Sequence, residues 1–208
     1  MTFVIFDTEY TSWQGCQEHG WKGKQKKEVV QIAALKVNDD WKILGEFNVF
    51  CRPLFNPVLS DYFVNLTKIT NEKIRDCGVP FAQAYADFKE FVGDGFCLSH
   101  GWGGDYYEPS DGSILKENLD LYNILENNPL VYRNAAAIFQ ALYQKHTLPI
   151  KNQSSGQIAS LLNLENKLLN LGINQHNALY DVYSILVGLK YFKADIMEIS
   201  PLKFVLRQ

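Results

Sequence analysis

The sequence predicts an α/β fold in which a mixed sheet is covered by helices. Apolar runs of strand length are concentrated near the N-terminus, and helical periodicity dominates the second half of the chain. A helix also falls between the third and fourth strands, as a crossover connection requires.

Phe3-Val4-Ile5-Phe6 is a continuous apolar run that stops at Asp7, the pattern of a central strand covered on both faces that delivers a polar side chain at its tip. Val29 to Val37 is a second such strand. Phe47 to Arg52 alternates and halts at Pro53, completing three strands at hairpin-like spacing. After Pro57, Leu66, Ile69 and Ile74 in a polar setting suggest short helical turns. Pro80 then opens a helix with Phe81, Tyr85, Phe88 and Phe91 on one face, closed by Gly93 and Gly95. Phe96-Cys97-Leu98 reads as the fourth strand. A loop rich in glycine and aromatics follows, Gly101 to Tyr107, and a helix starts near Ser110 or Asp111. Helices are predicted over Ala135–Tyr143, Ser154–Leu162 with a serine start signal, and Ala178–Phe192, the most periodic segment of the chain.

With 208 residues, 47% of them hydrophobic, the chain is long enough to close a sizeable core, and no linker divides it, so residues 1–208 are expected to form one domain. The packing of the tail, residues 195–208, is left open. A net charge of −3 excludes a basic sheath held to nucleic acid by bulk electrostatics. Lys22, Lys24, Lys26 and Lys27 form the one basic cluster, either a patch for an anionic partner or a solvated loop. Four cysteines without a C-x-x-C pair, and no cationic leader, are expected of reduced thiols in a cytoplasmic protein. No apolar run approaches the ~18–20 residues that cross a bilayer. Neither a G-x-G-x-x-G nor a G-x4-G-K-[ST] loop is present, against a dinucleotide- or nucleotide-binding protein.

Chemistry is carried by two motifs. Asp7-Thr8-Glu9 sets two carboxylates at alternate strand positions, on one face and roughly 7 Å apart at the backbone, a spacing at which hard oxygen donors share divalent ions. His176-Asn177-Ala178-Leu179-Tyr180-Asp181 opens the C-terminal helix, with Asp181 directed from its first turns toward the strand tip and His176 in the loop above. Either motif alone also fits surface acids and a capping histidine.

The two together resemble the DEDDh (DnaQ-like) 3′→5′ exonucleases, and nearly the whole chain is similar to the branch of KapD-like proteins and histone-mRNA and siRNA 3′ exonucleases. Phe6 to Thr11, Glu28 to Ala34, Cys51-Arg52-Pro53 with Asn56-Pro57, and Leu66 to Thr70 look like blocks of that branch, although Lys68 stands where it usually has glycine. The resemblance implies an RNase H-like fold with a central five-stranded mixed sheet flanked by helices. It further implies two divalent cations, Mg²⁺ or Mn²⁺, as expected for an all-oxygen ligand set. Asp7 would bridge both ions, Glu9 and Asp181 would complete the first, and a central carboxylate after the fourth strand would support the second. Asp111 suits that place, because Ile114 and Leu115 follow it at helix-seating spacing; Asp105, nearer the strand end, is the rival. His176 would be the general base. The substrate expected is single-stranded RNA or DNA with a free 3′ end. Thr8, Tyr10 and Thr11 would lie at that end, Leu66 or Ile69 would wedge beside the last base, and Trp102, like Trp13 and Tyr106, offers a stacking surface. The alternative is a regulatory or nucleic-acid-binding module on the same fold, acting through a protein partner.

Overall fold

Strand β1 (Thr2–Tyr10) is the spine of the sheet, and Phe3 to Phe6 are at most 2% exposed because neighbours cover them on both faces. A computed structural model describes residues 2–101, 106–107, 110–148 and 153–196. Strand β2 (Val29–Asn38) runs antiparallel to β1, and β3 (Ile43–Phe50) antiparallel to β2. On the other side β4 (Phe96–Ser99) and β5 (Tyr132–Asn134) are parallel additions, giving a five-stranded mixed sheet ordered β3-β2-β1-β4-β5.

The first strand does not end at Asp7. It pairs with β2 from Thr2↔Asn38 to Tyr10↔Val29, whereas its pairing with β4 covers only Phe3↔Phe96 to Ile5↔Leu98. Beyond Ile5 one edge of β1 therefore has no strand beside it among the described residues, while the other still holds it extended. Asp7 and Glu9 stand on that supported but one-sided stretch. The third strand likewise starts earlier than its alternation suggested and ends at Phe50, with Cys51 bridging to Val79.

Period-2 alternation sorts β1 onto two faces. Phe3 and Ile5 enter a cluster with α6 (Ala135–His146), α7 (Ile158–Leu161), α8 (Ala178–Tyr191) and α9 (Lys193–Ile196). Val4 and Phe6 enter the opposite one with α4 (Phe81–Val92) and α5 (Asp111–Leu121). A smaller cluster of Val30, Leu59, Phe63, Ile69 and Ile74 seats α2 (Asp61–Thr67) and α3 (Asn71–Cys77). Ser60 and Thr70 cap these two helices by accepting from Phe63 N and Lys73 N. Lys68 closes α2 at φ 62°, a left-handed backbone that glycine adopts without strain. The predicted helix over Ser154–Leu162 divides into a 3₁₀ turn, Ser155–Gln157, and α7. Helix α1 (Cys16–His19) lies between β1 and β2. No helix among the described residues is long and apolar enough to cross a membrane.

Candidate active site

Gln31 lies opposite Glu9 on β2, fully buried, and bolts the start of α8 to the sheet. Its carbonyl oxygen accepts from Ala178 N at 3.1 Å, and its amide donates to Asn177 Oδ1 at 3.2 Å and Asn48 Oδ1 at 2.8 Å. Asn177 in turn caps the helix by accepting from Leu179 N. With the helix start fixed there, Asp181 is carried onto β1. Asp7, Glu9 and Asp181 then present oxygens that all lie within 4.8 Å of one another, Asp7 and Asp181 buried and Glu9 half-buried.

Asp111 is the first residue of α5. Its N–H donates to Ser99 Oγ at 3.2 Å and its Oδ1 accepts from Thr8 Oγ1 at 3.0 Å, so the strand residue between the two β1 acids reaches the opposite way to hold a fourth. Ile114 and Leu115 seat the helix as their spacing suggested. Asn118 adds a link to the sheet, donating to Lys27 O and accepting from Val29 N, both at 2.9 Å. Asp105 and Trp102 lie outside the described residues.

All four acids have raised pKa values. Burial is the first cause throughout; it pushes Asp7 well above its ordinary value, followed by repulsion from Asp111, Asp181 and Glu9. Glu9 is raised in the same way, by burial and then by Asp181 and Asp111. Asp111 and Asp181 are each pushed up to about 7 by burial, against hydrogen bonds that include Thr8 for Asp111 and Ser155 for Asp181. Among the described residues no lysine or arginine pairs with any of the four, and the buried Oδ1 of Asp181 has no hydrogen-bond partner. Closely set hard oxygens with an unpartnered lone pair and no basic counter-charge are a donor set that fits a divalent cation.

His176 precedes the helix cap at φ 64°, a left-handed backbone uncommon outside glycine. Its side chain is exposed at the rim, with enough burial to lower the imidazole pKa. The turn also brings its backbone N–H to Asp181, where it lowers that carboxyl's pKa.

The residues expected at the substrate end fare differently. The Thr8 and Thr11 side chains are buried and engaged within the protein, Thr8 on Asp111 and Thr11 on the following loop, donating to Lys26 O at 2.6 Å and accepting from Glu28 N at 2.9 Å. Tyr10 is half-buried, its phenol pushed up to about 12 mainly by burial. Leu66 is half-buried on α2, but Ile69 is 3% exposed inside the α2/α3 cluster. The wedge role is therefore withdrawn for Ile69, because core packing has consumed the side chain.

Ser155, Ser184 and Gly156, like Gln31, escaped the sequence reading. Ser155 Oγ donates to Asp181 Oδ2 at 2.9 Å and also lowers the pKa of Asp7. Ser184 fixes it, donating to Ser155 O at 2.7 Å while accepting from Ala159 N at 3.0 Å. Next to it, a Cβ on Gly156 would lie 2.5 Å from Asp181 Oδ1, so only glycine lets this turn approach the carboxylate. The serine start signal at Ser154 marked the turn, but nothing in the sequence marked its partner.

Comparison with known proteins agrees with this architecture. Residues 4–103 match the RNase_T exonuclease family model. The chain is similar to ERI1 exoribonuclease 2 of Xenopus laevis, 29% identical over 91 residues, which is 43% of this chain and 12% of that protein's length. Among solved structures, the nuclease domain of 3′hExo, a DEDDh family member bound to rAMP, superposes with a TM-score of 0.65 at 20% identity, over 96% of this chain and 94% of that one. Cell-death related nuclease 4 gives 0.69 at 20% identity over 93% and 64%, and E. coli exonuclease I with a dA16 oligonucleotide 0.67 at 16% over 93% and 41%. The family match spans the β1 acids, and the shared fold covers 93–96% of the chain. By that match the first half of the chain resembles the RNase_T exonuclease family, and the chain has the RNase H-like fold of the solved exonucleases, a five-stranded mixed sheet flanked by helices.

Proposed function

We propose that this chain is a metal-dependent 3′→5′ exonuclease acting on single-stranded nucleic acid, formed as one domain. The observation that carries the reading is the convergence of Asp7, Glu9 and Asp181 within 4.8 Å, with Asp111 beside them and no basic partner among the described residues. A module relieved of catalysis has no physical need to hold four mutually repelling carboxylates together. Similar solved structures support the direction and the substrate: a histone mRNA stem-loop recognised by a 3′-exonuclease, and E. coli exonuclease I with single-stranded DNA.

In this reading Asp7, Glu9, Asp111 and Asp181 would together hold two divalent cations, Mg²⁺ or Mn²⁺. When bound, such a pair neutralises charge on the phosphoryl oxygens and on the attacking and departing oxygens of an in-line displacement. The protein's groups do the rest. His176, its pKa lowered, is neutral near pH 7 and accepts the proton of the attacking water. Thr8 orients Asp111, and Ser155 orients Asp181. Glu9 and the backbone from Thr8 to Thr11 meet the terminal 3′-hydroxyl, and Leu66 lies beside the last base.

The test is incubation with 5′-labelled RNA and DNA oligonucleotides in Mg²⁺, Mn²⁺ or chelator. A ladder shortening from the far end, abolished by chelator, is expected. His176→Ala should lose on the order of 10² to 10⁴ in rate while keeping the metal-induced rise in Tm. Full turnover by that variant would remove His176 from the mechanism, and no cleavage by the wild type under any condition would remove the enzyme.

A further inference from the structure

The loop between α1 and β2 is held with unusual care for a segment whose exposed side chains are lysines. Lys22, Lys24 and Lys26 are exposed, and no ion pair among the described residues involves them. Lys27 differs, since it pairs with Glu117 at 3.3 Å and its Nζ lies 4.7 Å above the Trp21 ring. The backbone beneath the three exposed lysines is fixed at every turn. Gln25 closes a turn on Lys22, its Oε1 accepting from Lys22 N at 2.8 Å. Asn56 clips the next stretch as a neighbouring strand would, accepting from Lys26 N at 2.9 Å and donating to Lys24 O at 3.3 Å. Thr11 takes Lys26 O, and Trp21 Nε1 donates to Thr11 O at 2.9 Å. Asn56 is itself held by a fully buried carboxylate: Glu28 accepts from the backbone N–H groups of Leu54, Phe55 and Asn56 at 2.6–2.9 Å. A rigid loop that displays uncompensated charge is built to present that charge.

The loop is also joined to the acid cluster. Tyr10 follows Glu9, and its phenol feels the charges of Asp111, Glu9 and Asp7. Its ring packs at 5.9 Å on Trp21, the residue before Lys22. Carboxylates, Tyr10, Trp21 and lysines thus form one contiguous path on a protein whose net charge is −3.

We infer that Lys22, Lys24 and Lys26 track the phosphates of a single strand whose 3′ end lies at Asp7, Glu9 and Asp181. Substrate affinity then increases with strand length until the strand covers the loop. The inference rests on the function proposed above, and its test separates the two. Lys22→Ala/Lys24→Ala/Lys26→Ala is the informative variant, because Asn56, Thr11 and Gln25 grip the loop through its backbone and are untouched. Binding of a fluorescent single-stranded dodecamer is measured in chelator across salt concentrations, and kcat/KM is measured for the dodecamer and a dinucleotide in Mn²⁺.

Three single-strand phosphate contacts contribute about 2 to the slope of log K against log salt, or roughly 20-fold in affinity between about 50 and 200 mM. The variant should lose that slope, and the ratio of dodecamer to dinucleotide kcat/KM should fall roughly 10-fold or more. A variant with the wild-type slope and ratio overturns the inference, as does a wild type whose dodecamer binding is independent of salt; either makes the loop a solvated surface. Salt-dependent binding lost in the variant, with no cleavage by the wild type, would uphold the lysine surface and sink the exonuclease.

Discussion

Glu28 and Asp7 are buried carboxylates at the same end of the sheet, and their surroundings are opposite. Glu28 receives three backbone N–H groups and the Tyr122 hydroxyl, at 2.6–2.9 Å, so its lone pairs are committed within the protein. Asp7 faces Asp111, Asp181 and Glu9, and among the described residues the Oδ1 of neighbouring Asp181 has no hydrogen-bond donor. A buried charge is tolerated when hydrogen-bonded and expensive when it is not. The first site is complete and structural. The second leaves an oxygen unpartnered, and under the proposed function a divalent cation would supply what it lacks.

The largest effect should come from the completed site. Glu28→Ala leaves three N–H groups without an acceptor, at ~1–3 kcal/mol each where no water reaches them, so the loss should be about 3–5 kcal/mol. At this chain length that is a Tm lower by roughly 6–20 °C. Asp7→Asn should do the reverse in chelator, raising Tm by removing a repelling charge, while abolishing the stabilisation by Mn²⁺. If both variants lowered Tm equally in chelator, the distinction between the two sites would collapse.

Acidity sharpens the contrast. Asp111 and Asp181 sit near 7, above the ~4 of an unfolded aspartate. Between those values the folded protein binds more protons than the unfolded one, so raised pKa values stabilise at low pH and the gain is lost as pH climbs through about 7. In chelator, Tm should therefore fall between pH 5 and 8 by several degrees, each kcal/mol being worth ~2–4 °C. Bound metal requires the deprotonated acids, so the Mn²⁺-induced rise in Tm should grow over the same interval. Thermal scans with and without Mn²⁺ check both slopes, and a metal-induced rise that shrinks with pH would contradict the carboxylate ligand set.

Much of this site was legible in the chain. Asp7 and Glu9 were visible because strand alternation places i and i+2 together, and Asp181 because a strongly periodic helix begins beside it. The apolar pair Ile114 and Leu115 favours Asp111 over Asp105, which lies outside the described residues; Asp111 stands beside Thr8 and the other acids. What could not be read depends on distant partners. Gln31 meets Asn177 across 146 positions and Ser155 meets Asp181 across 26, and neither leaves a local pattern. Strand β5 has three residues, too few for period-2 alternation to register. The end of β1 was misplaced because polarity marks where apolar cover stops, whereas β2 keeps pairing through Tyr10.

Ser155 offers a smaller effect on the unfinished site. Ser155→Ala removes the donor that orients Asp181 while leaving all four acids, so Mn²⁺ affinity by calorimetry should weaken about 10- to 100-fold, as for other groups that orient metal ligands. Gly156→Ala should act in the same direction by displacing Asp181 Oδ1. Unchanged affinity in both would mean that Asp181 needs no help to face the cation.

The smallest change belongs to Glu28 again. Tyr122 lies half-buried, its ring stacked at 5.4 Å on Phe81, and its hydroxyl donates to Glu28 Oε1 at 2.6 Å. Tyr122→Phe keeps the ring and the three backbone donors, so a complete site should absorb the loss of one donor for about 1–2 kcal/mol. The backbone grip on residues 54–56 would persist, and with it the clip of Asn56 on the lysine loop. Nucleic-acid affinity should then be unaltered while chemical denaturation registers the lost bond. A drop in affinity as large as that of the triple lysine variant would show instead that the carboxylate holds the loop only marginally, and that the two acid sites differ in degree rather than in kind.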